Sequence, residues 1–250
     1  MQSPVSVITG ASSGLGRALA LELAAQGHWV VACARSHDAL WQLAELPSAH
    51  GRIVPCVMDM TDIAHTQQAF TMVQQRFGHV DNLILNAGSC EYVDVNALDL
   101  ALFRRLFELN FFAQVHMIQM FLPLLNASAQ PLLALVSSLA HVFPFSKNQA
   151  YGASKAAVSY FADSLRVDCP ELTVQRIEPG FVDTPLTQKN QFSMPFLLSA
   201  EDAARRMANA LQQRQLRLQF PTRLVLTLKL LNALPYGLRQ RVAKALGRQS

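Results

Sequence analysis

The chain has 250 residues, 51% of them hydrophobic and 15% charged, which excludes a disordered segment, a collagen-like repeat and a small disulfide scaffold. The net charge of +4 is uneven, since residues 201–250 carry ten Lys/Arg against two Asp/Glu and residues 1–200 carry eleven against fifteen. In chain order, β-branched runs alternate with helical stretches. Strands are expected at 5–9, 29–34, 53–58, 83–86, 132–137 and 173–177, and helices at 14–26, 39–46, 62–77, 100–125 and 150–167. The uncharged helical stretch 109–125 contains Asn110, Gln114, His116, Gln119 and Pro123, so it reads as a buried or interface helix and not as a membrane span. Repeated β-then-α steps predict one α/β domain, a doubly wound Rossmann fold. Its seven-stranded sheet is mainly parallel, with helices on both faces, and residues 216–221 supply the seventh strand. Within residues 1–250 the core is 1–185, an apolar loop spans 186–200 and a basic helical extension spans 222–250. The four cysteines are widely spaced, with no C-x-x-C pair, which argues against a metal site and for a reducing, cytoplasmic compartment. Residues 1–5 lack the basic and apolar regions of a signal peptide.

The first strand runs into Thr9-Gly10-Ala11-Ser12-Ser13-Gly14-Leu15-Gly16 and then a helix. Glycines there let backbone approach a pyrophosphate, and a helix N-terminus offers N–H donors and the positive end of a dipole. An ordinary glycine-rich turn is the bland alternative, but the position at the first βα turn favours a dinucleotide. An NAD site usually carries an acid at the end of the second strand to bond the ribose 2′-hydroxyl. This chain has Ala34 followed by Arg35, which suits a 2′-phosphate. NADP(H) is therefore the expected cofactor ahead of NAD(H), with Arg17 as a second candidate cation and Asp38 pointing elsewhere.

Tyr151 and Lys155 share a face at i and i+4 of the fifth helix, and an ammonium beside a phenol favours the phenolate. Ser138 closes the fifth strand at the sheet edge where open α/β folds bind ligands. Singly, each has a structural reading: a packing aromatic, a solvated lysine, a strand-end cap. Jointly, beside a nucleotide loop, they make a candidate site.

With these motifs in order, residues 5–185 resemble the short-chain dehydrogenase/reductase family. Thr9–Gly16 is similar to its T-G-x-x-x-G-x-G, and Asn86-Ala87-Gly88 to its N-A-G. Pro179-Gly180-Phe181-Val182-Asp183-Thr184 resembles its P-G-x-V-x-T. Ser138, Tyr151, Lys155 and Asn110 stand where the family has its active-site serine, tyrosine, lysine and asparagine. The resemblance implies hydride transfer between nicotinamide and a carbonyl or secondary alcohol. Tyr151 would move the proton, Ser138 would hold the substrate oxygen, Lys155 would lower the tyrosine pKa and bond the nicotinamide ribose, and Asn110 would hold a relay water. Gly10, Ser12, Ser13, Gly14, Leu15, Gly16, Arg35, Asp59, Met60, Asn86, Ala87 and Gly88 would contact the adenosine and phosphates. Pro179, Gly180, Val182 and Thr184 would lie by the nicotinamide, beside Tyr151 and Lys155.

His141 stands where the family often has glycine and is expected, with Ser138, Phe192 and Phe196, to contact the substrate; a solvated loop histidine is the equal alternative. In the family the loop at 186–200 covers the substrate, so the apolar make-up of 186–198 implies an apolar small-molecule substrate, with simple packing on the body as the alternative. The largest departure is the end, where leucines near helical spacing alternate with cations and no glycine-rich closing segment follows. Homodimerisation through the helices near 100–125 and 151–167 is expected, and no nucleic-acid partner. The tail is a lid, a dimer contact or a peripheral membrane anchor. Two alternatives to a plain carbonyl reductase stay open: a membrane-peripheral reductase of lipid-like carbonyls, and an NADP sensor without chemistry.

Overall fold

A computed structural model describes residues 3–190 and 192–247. Residues 1, 2, 191 and 248–250, which include parts of the N-terminal, loop and tail segments named above, lie outside the described residues.

The elements run β1 (Val5–Thr9), α1 (Gly14–Ala25), β2 (Trp29–Ala34), α2 (His37–Glu45), β3 (Ile53–Val57), α3 (Ile63–Phe77) and β4 (Asn82–Leu85). They continue through α4 (Leu100–Phe107), α5 (Ala113–Asn126), β5 (Leu132–Val136), α6 (Gln149–Asp168), β6 (Thr173–Pro179), α7 (Ala200–Gln212), β7 (Arg217–Phe220), α8 (Thr222–Asn232) and α9 (Tyr236–Gly247). The sheet order is β3-β2-β1-β4-β5-β6-β7, and all six pairings are parallel. The order reverses beside β1, so the crevice at the carboxyl ends of β1 and β4 is the topological switch point where such sheets bind ligands.

The apolar strands are buried on both faces, as parallel strands covered by crossover helices require. On one face Leu19 and Leu23 of α1, Leu40 and Leu43 of α2 and Met207 and Leu211 of α7 form one core. On the other, Val73 of α3, Met117 and Phe121 of α5 and Val158 of α6 form the second. Each fully buried side chain of this size contributes about 1.5–3 kcal/mol of transfer free energy.

Two local features depart from the expected elements. Helix α7 was not foreseen, although Ser199 caps it by accepting from the Asp202 N–H, and Glu201 and Asp202 occupy its first turn. Its alanines bury a narrow face, so the apolar period reads weakly. The single helix expected at 100–125 is two helices joined by a π turn, Glu108–Phe112, where the Ala113 N–H bonds the Glu108 carbonyl. Asn110 lies inside that turn and is fully buried. Its amide side chain bonds outside the helix, and a π turn is the distortion that redirects such a residue.

Among the described residues, no helix is long and apolar enough to cross a membrane.

Candidate active site

A cavity of about 410 Å³ runs along the carboxyl edge of β2, β1, β4, β5 and β6. All of the residues assigned above to the cofactor line it: Gly10, Ser12–Gly16, Arg35, Asp59, Met60, Asn86–Gly88, Tyr151, Lys155, Pro179, Gly180, Val182 and Thr184. The glycine turn is shaped by close backbone packing. A Cβ at Gly16 would sit 2.2 Å from the Gly10 carbonyl oxygen, and Gly10 itself has φ +69° with Ala87 Cα 2.9 Å from its Cβ direction. Thr9 ties this turn to the end of β4, since its hydroxyl accepts from the Asn86 and Ala87 N–H groups at 3.0 Å each. The Asn86 amide donates to the Thr9 carbonyl at 3.0 Å. The first turn of α1 carries no acidic residue, and the Ser13 side chain does not cap it. Gly14–Gly16 line the cavity at this helix N-terminus, whose dipole end no side chain compensates, which fits the pyrophosphate of a dinucleotide.

The far rim carries Ala34, Arg35 and Ser36. Arg35 is exposed, and Ser36 is the N-cap of α2 with its hydroxyl making no capping bond. Cation, hydroxyl and helix N-terminus together suit a phosphate. Sequence reading found the cation but missed Ser36, which a Ser immediately ahead of a helix could have signalled. Arg17 is not among the lining residues, and Asp38 bonds His37 at 3.0 Å. Burial pushes the Asp59 carboxyl up, but the Thr61 N–H and hydroxyl, with the Arg35 charge, outweigh it and hold Asp59 below the usual carboxylate range.

Ser138 and Tyr151 line this cavity and also a second one of about 490 Å³. Ser138 begins a short turn after β5. Its hydroxyl accepts from the Ala140 N–H at 3.1 Å and reaches the Pro179 carbonyl at 3.5 Å. Its neighbour Ser137 is turned into the core, donating to the Lys155 carbonyl at 2.7 Å. Lys155 is 3% exposed and donates through Nζ to the Val136 carbonyl at 2.9 Å. Nζ lies 5.9 Å from the Tyr151 ring centre. Asn110 sits behind them. Its Oδ1 accepts from the Ser89 N–H, and its amide donates to the Ser89 carbonyl and the Ser154 hydroxyl, all at 2.9–3.0 Å. A Cβ on Gly88 would come within 3.1 Å of both Asn110 Oδ1 and Lys155 Nζ, so the three residues converge.

Burial pushes the Tyr151 phenol well above its usual range and the nearby Cys90 adds to this, while the Ser138 hydroxyl pulls it back. Burial also brings Lys155 down to about 8. The expected lowering of the tyrosine by the lysine does not appear, because the same dry environment penalises both charged forms.

The second cavity is lined mostly by apolar side chains, among them Phe181, Phe192 and Leu228, with Cys90, Tyr92 and Asn148 near the polar end. Cys90 and Tyr92 were missed by sequence reading, since nothing in their local pattern marks them. Phe192 lines the cavity and stacks edge-on with Tyr92 and Phe181. Phe196 does not; it is 43% exposed, at a position of positive φ (60°) in the loop. His141 also lies off both cavities. Its ring bonds Glu178, a fully buried β6 carboxylate that also pairs with Arg217 at 2.7 Å and Arg176 at 3.4 Å. A buried carboxylate needs every reachable hydrogen-bond donor, and the His141 ring is committed to it.

Burial raises the Glu178 carboxyl, but His141, Arg217 and Arg176 outweigh it and hold it below the ordinary value. Its stabilising contribution is present at neutral pH and is lost as pH falls through that depressed range. Replacing Glu178 by Gln breaks a buried ion-pair network, leaving Arg176 with Asp163 as its remaining carboxylate, and is expected to cost about 3 kcal/mol in urea unfolding at pH 7. A smaller loss at pH 4 than at pH 7 is the accompanying expectation.

Compared with known proteins, residues 4–194 match the family model of the short chain dehydrogenases. An uncharacterised oxidoreductase of Myxococcus xanthus is 33% identical over 249 residues, covering 98% of both chains, so its similarity extends through the C-terminal helices. Among solved structures, a short-chain dehydrogenase/reductase of Burkholderia phymatum in complex with NAD superposes with a TM-score of 0.83 at 22% identity, covering 91% of this chain and 92% of that one. L-sorbose reductase of Gluconobacter frateurii, complexed with NADPH and L-sorbose, gives 0.78 at 23% identity, covering 88% and 95%. With the glycine turn, the switch-point cavity and a family match over three quarters of its length, the chain belongs to the short-chain dehydrogenase/reductase family of oxidoreductases.

Proposed function

We propose that the protein is an NADP(H)-dependent reductase of apolar carbonyl compounds. The observation that carries this reading is the meeting of two cavities at Ser138 and Tyr151, one suited to a dinucleotide and the other apolar and about 490 Å³. Bound in the first cavity, a reduced nicotinamide supplies the hydride. Ser138 donates to the substrate carbonyl oxygen and Tyr151 gives the proton that turns the developing alkoxide into alcohol. Lys155, held by Val136, stabilises the resulting phenolate and bonds the ribose. Asn110, held by Ser89 and Ser154, positions the relay water next to Lys155.

A series of methyl ketones of rising chain length, followed by NADPH absorbance, tests the substrate class. Each added methylene that enters the apolar cavity is expected to raise kcat/KM by up to about fourfold, the equivalent of ~0.8 kcal/mol. Best activity on small polar ketones would overturn it.

Two accompanying readings follow. Homodimerisation through α4–α5 and α6 is supported by Phe112 in the π turn and Tyr160 and Val167 on α6, which are 54%, 79% and 80% exposed. A reducing, cytoplasmic setting is supported by the wide spacing of the four cysteines, which include no C-x-x-C pair.

A further inference from the structure

The last two helices divide their apolar residues between two faces. Leu224, Val225 and Leu228 of α8 are buried against Leu139 and Phe143, and Leu228 also walls the apolar cavity with Ala243 of α9. The inner face is thereby covered. The outer face is not. Leu226 and Leu230, one turn apart on α8, are 62% and 71% exposed, and Tyr236 at the turn between the helices is 70% exposed. Arg223 and Lys229 are exposed on α8 and Arg241 and Lys244 on α9. No Asp or Glu occurs after Asp202 anywhere in the sequence.

Leucines at helical spacing on the side away from the core call for a covering surface. A second copy meeting this face across a two-fold axis would bring cations against cations, with no carboxylate between them. Nucleic acid would match the charge but leave the leucines uncovered. An anionic bilayer matches both: headgroups answer the cations, the acyl boundary takes the leucines, and a tyrosine suits the interface.

We propose that the outer face of α8–α9 docks on an anionic lipid bilayer. The inner face of the same helices walls the apolar cavity, so docking sets that cavity beside the bilayer, and a lipophilic carbonyl compound dissolved in lipid enters without crossing water. The entry route rests on the proposed apolar-carbonyl activity; the docking does not.

Purified full-length protein is mixed with vesicles of phosphatidylcholine alone or with about a third phosphatidylserine, and binding is read by flotation. Binding to the anionic vesicles is expected, at least about tenfold stronger than to the neutral ones and weakening as salt rises. The double variant Leu226→Glu/Leu230→Glu, which touches neither cavity, is expected to lose that binding with its Tm unchanged and with NADPH-dependent reduction of a water-soluble ketone unchanged. Absence of binding, equal binding to neutral vesicles, or full binding by the double variant would overturn the proposal. So would a dimer in light scattering that the double variant dissociates, since the face would then be a self-interface. Because binding is read without turnover, failure of the reductase assay on every ketone strikes the functional reading and leaves the docking result standing.

Discussion

Tyr151→Phe is expected to lower NADPH-dependent carbonyl reduction by at least about 10³-fold while leaving dinucleotide affinity within about twofold, as fluorescence titration would show. The reason lies in where the hydroxyl sits. Tyr151 lines both cavities, whereas the glycine turn, Arg35 and Asn86–Gly88 line the first alone and would hold the other end of the dinucleotide without it. Removing one oxygen leaves the ring to pack as before. Ser138 can still donate a hydrogen bond to the substrate oxygen, but an aliphatic hydroxyl is far too weak an acid to replace the phenol as the proton source. The same measurement separates an enzyme from a sensor: a sensor would bind NADP equally well as wild type or variant and reduce nothing in either form.

The pH profile follows from the neighbouring lysine. Burial lowers Lys155 to about 8 and raises Tyr151, so around pH 7 the site holds an ammonium beside a protonated phenol. That is the form needed to give a proton away and to stabilise what remains. As pH rises through about 8, Lys155 loses its charge and the phenolate loses its nearest cation. Reductive kcat/KM is therefore expected to fall above about pH 8, and Lys155→Met is expected to remove that limb of the profile together with most of the activity. A profile flat to pH 10 in the wild type would contradict the assignment.

The sheet was legible because buried parallel strands are written as short apolar runs, and each of the predicted strands falls within two residues of an observed one. The glycine turn was legible for a different reason: Gly10 and Gly16 are fixed by close backbone approaches and Gly14 by a positive φ of 51°, so their spacing is itself geometric information. What was not legible depended on tertiary partners. Helix α7 packs by alanines, whose small side chains give a faint apolar period. The π turn at Asn110 exists because Ser89 and Ser154, distant in sequence, attract its amide. His141 looked like a substrate residue because it follows Ser138; its real partner, Glu178, is 37 residues away and charged in the core. The tail showed its leucines and cations in sequence, but only the fold separates Leu224 and Leu228, which face inward, from Leu226 and Leu230, which do not.

Cofactor choice yields the second large effect. Replacing Arg35 by Asp is expected to weaken NADPH binding about 30-fold or more and to bring NADH affinity to at least the same level. The rim offers no acid to a ribose 2′-hydroxyl: Ala34 holds the usual position, Asp38 bonds His37 outside the cavity, and the Asp59 Oδ1 is taken by the Thr61 N–H and hydroxyl. It offers a phosphate three things, namely the Arg35 guanidinium, the uncommitted Ser36 hydroxyl and the first turn of α2. Losing a charge-assisted pair on an exposed rim costs about 1 kcal/mol, and placing a carboxylate against the phosphate adds a repulsion of about the same size, together ~2 kcal/mol. Arg35 also helps to hold Asp59 ionised, so Arg35→Asp sets two carboxylates near each other and raises the Asp59 pKa. The NADPH penalty should therefore shrink at low pH, where both carboxylates take up protons, and shrink again at high salt, which screens an exposed rim. Arg35→Ala separates the two contributions: it removes the attraction without adding the repulsion, and about a fivefold loss of NADPH affinity is its expected result. Retention of the wild-type preference in both variants would show that the 2′-phosphate is held elsewhere.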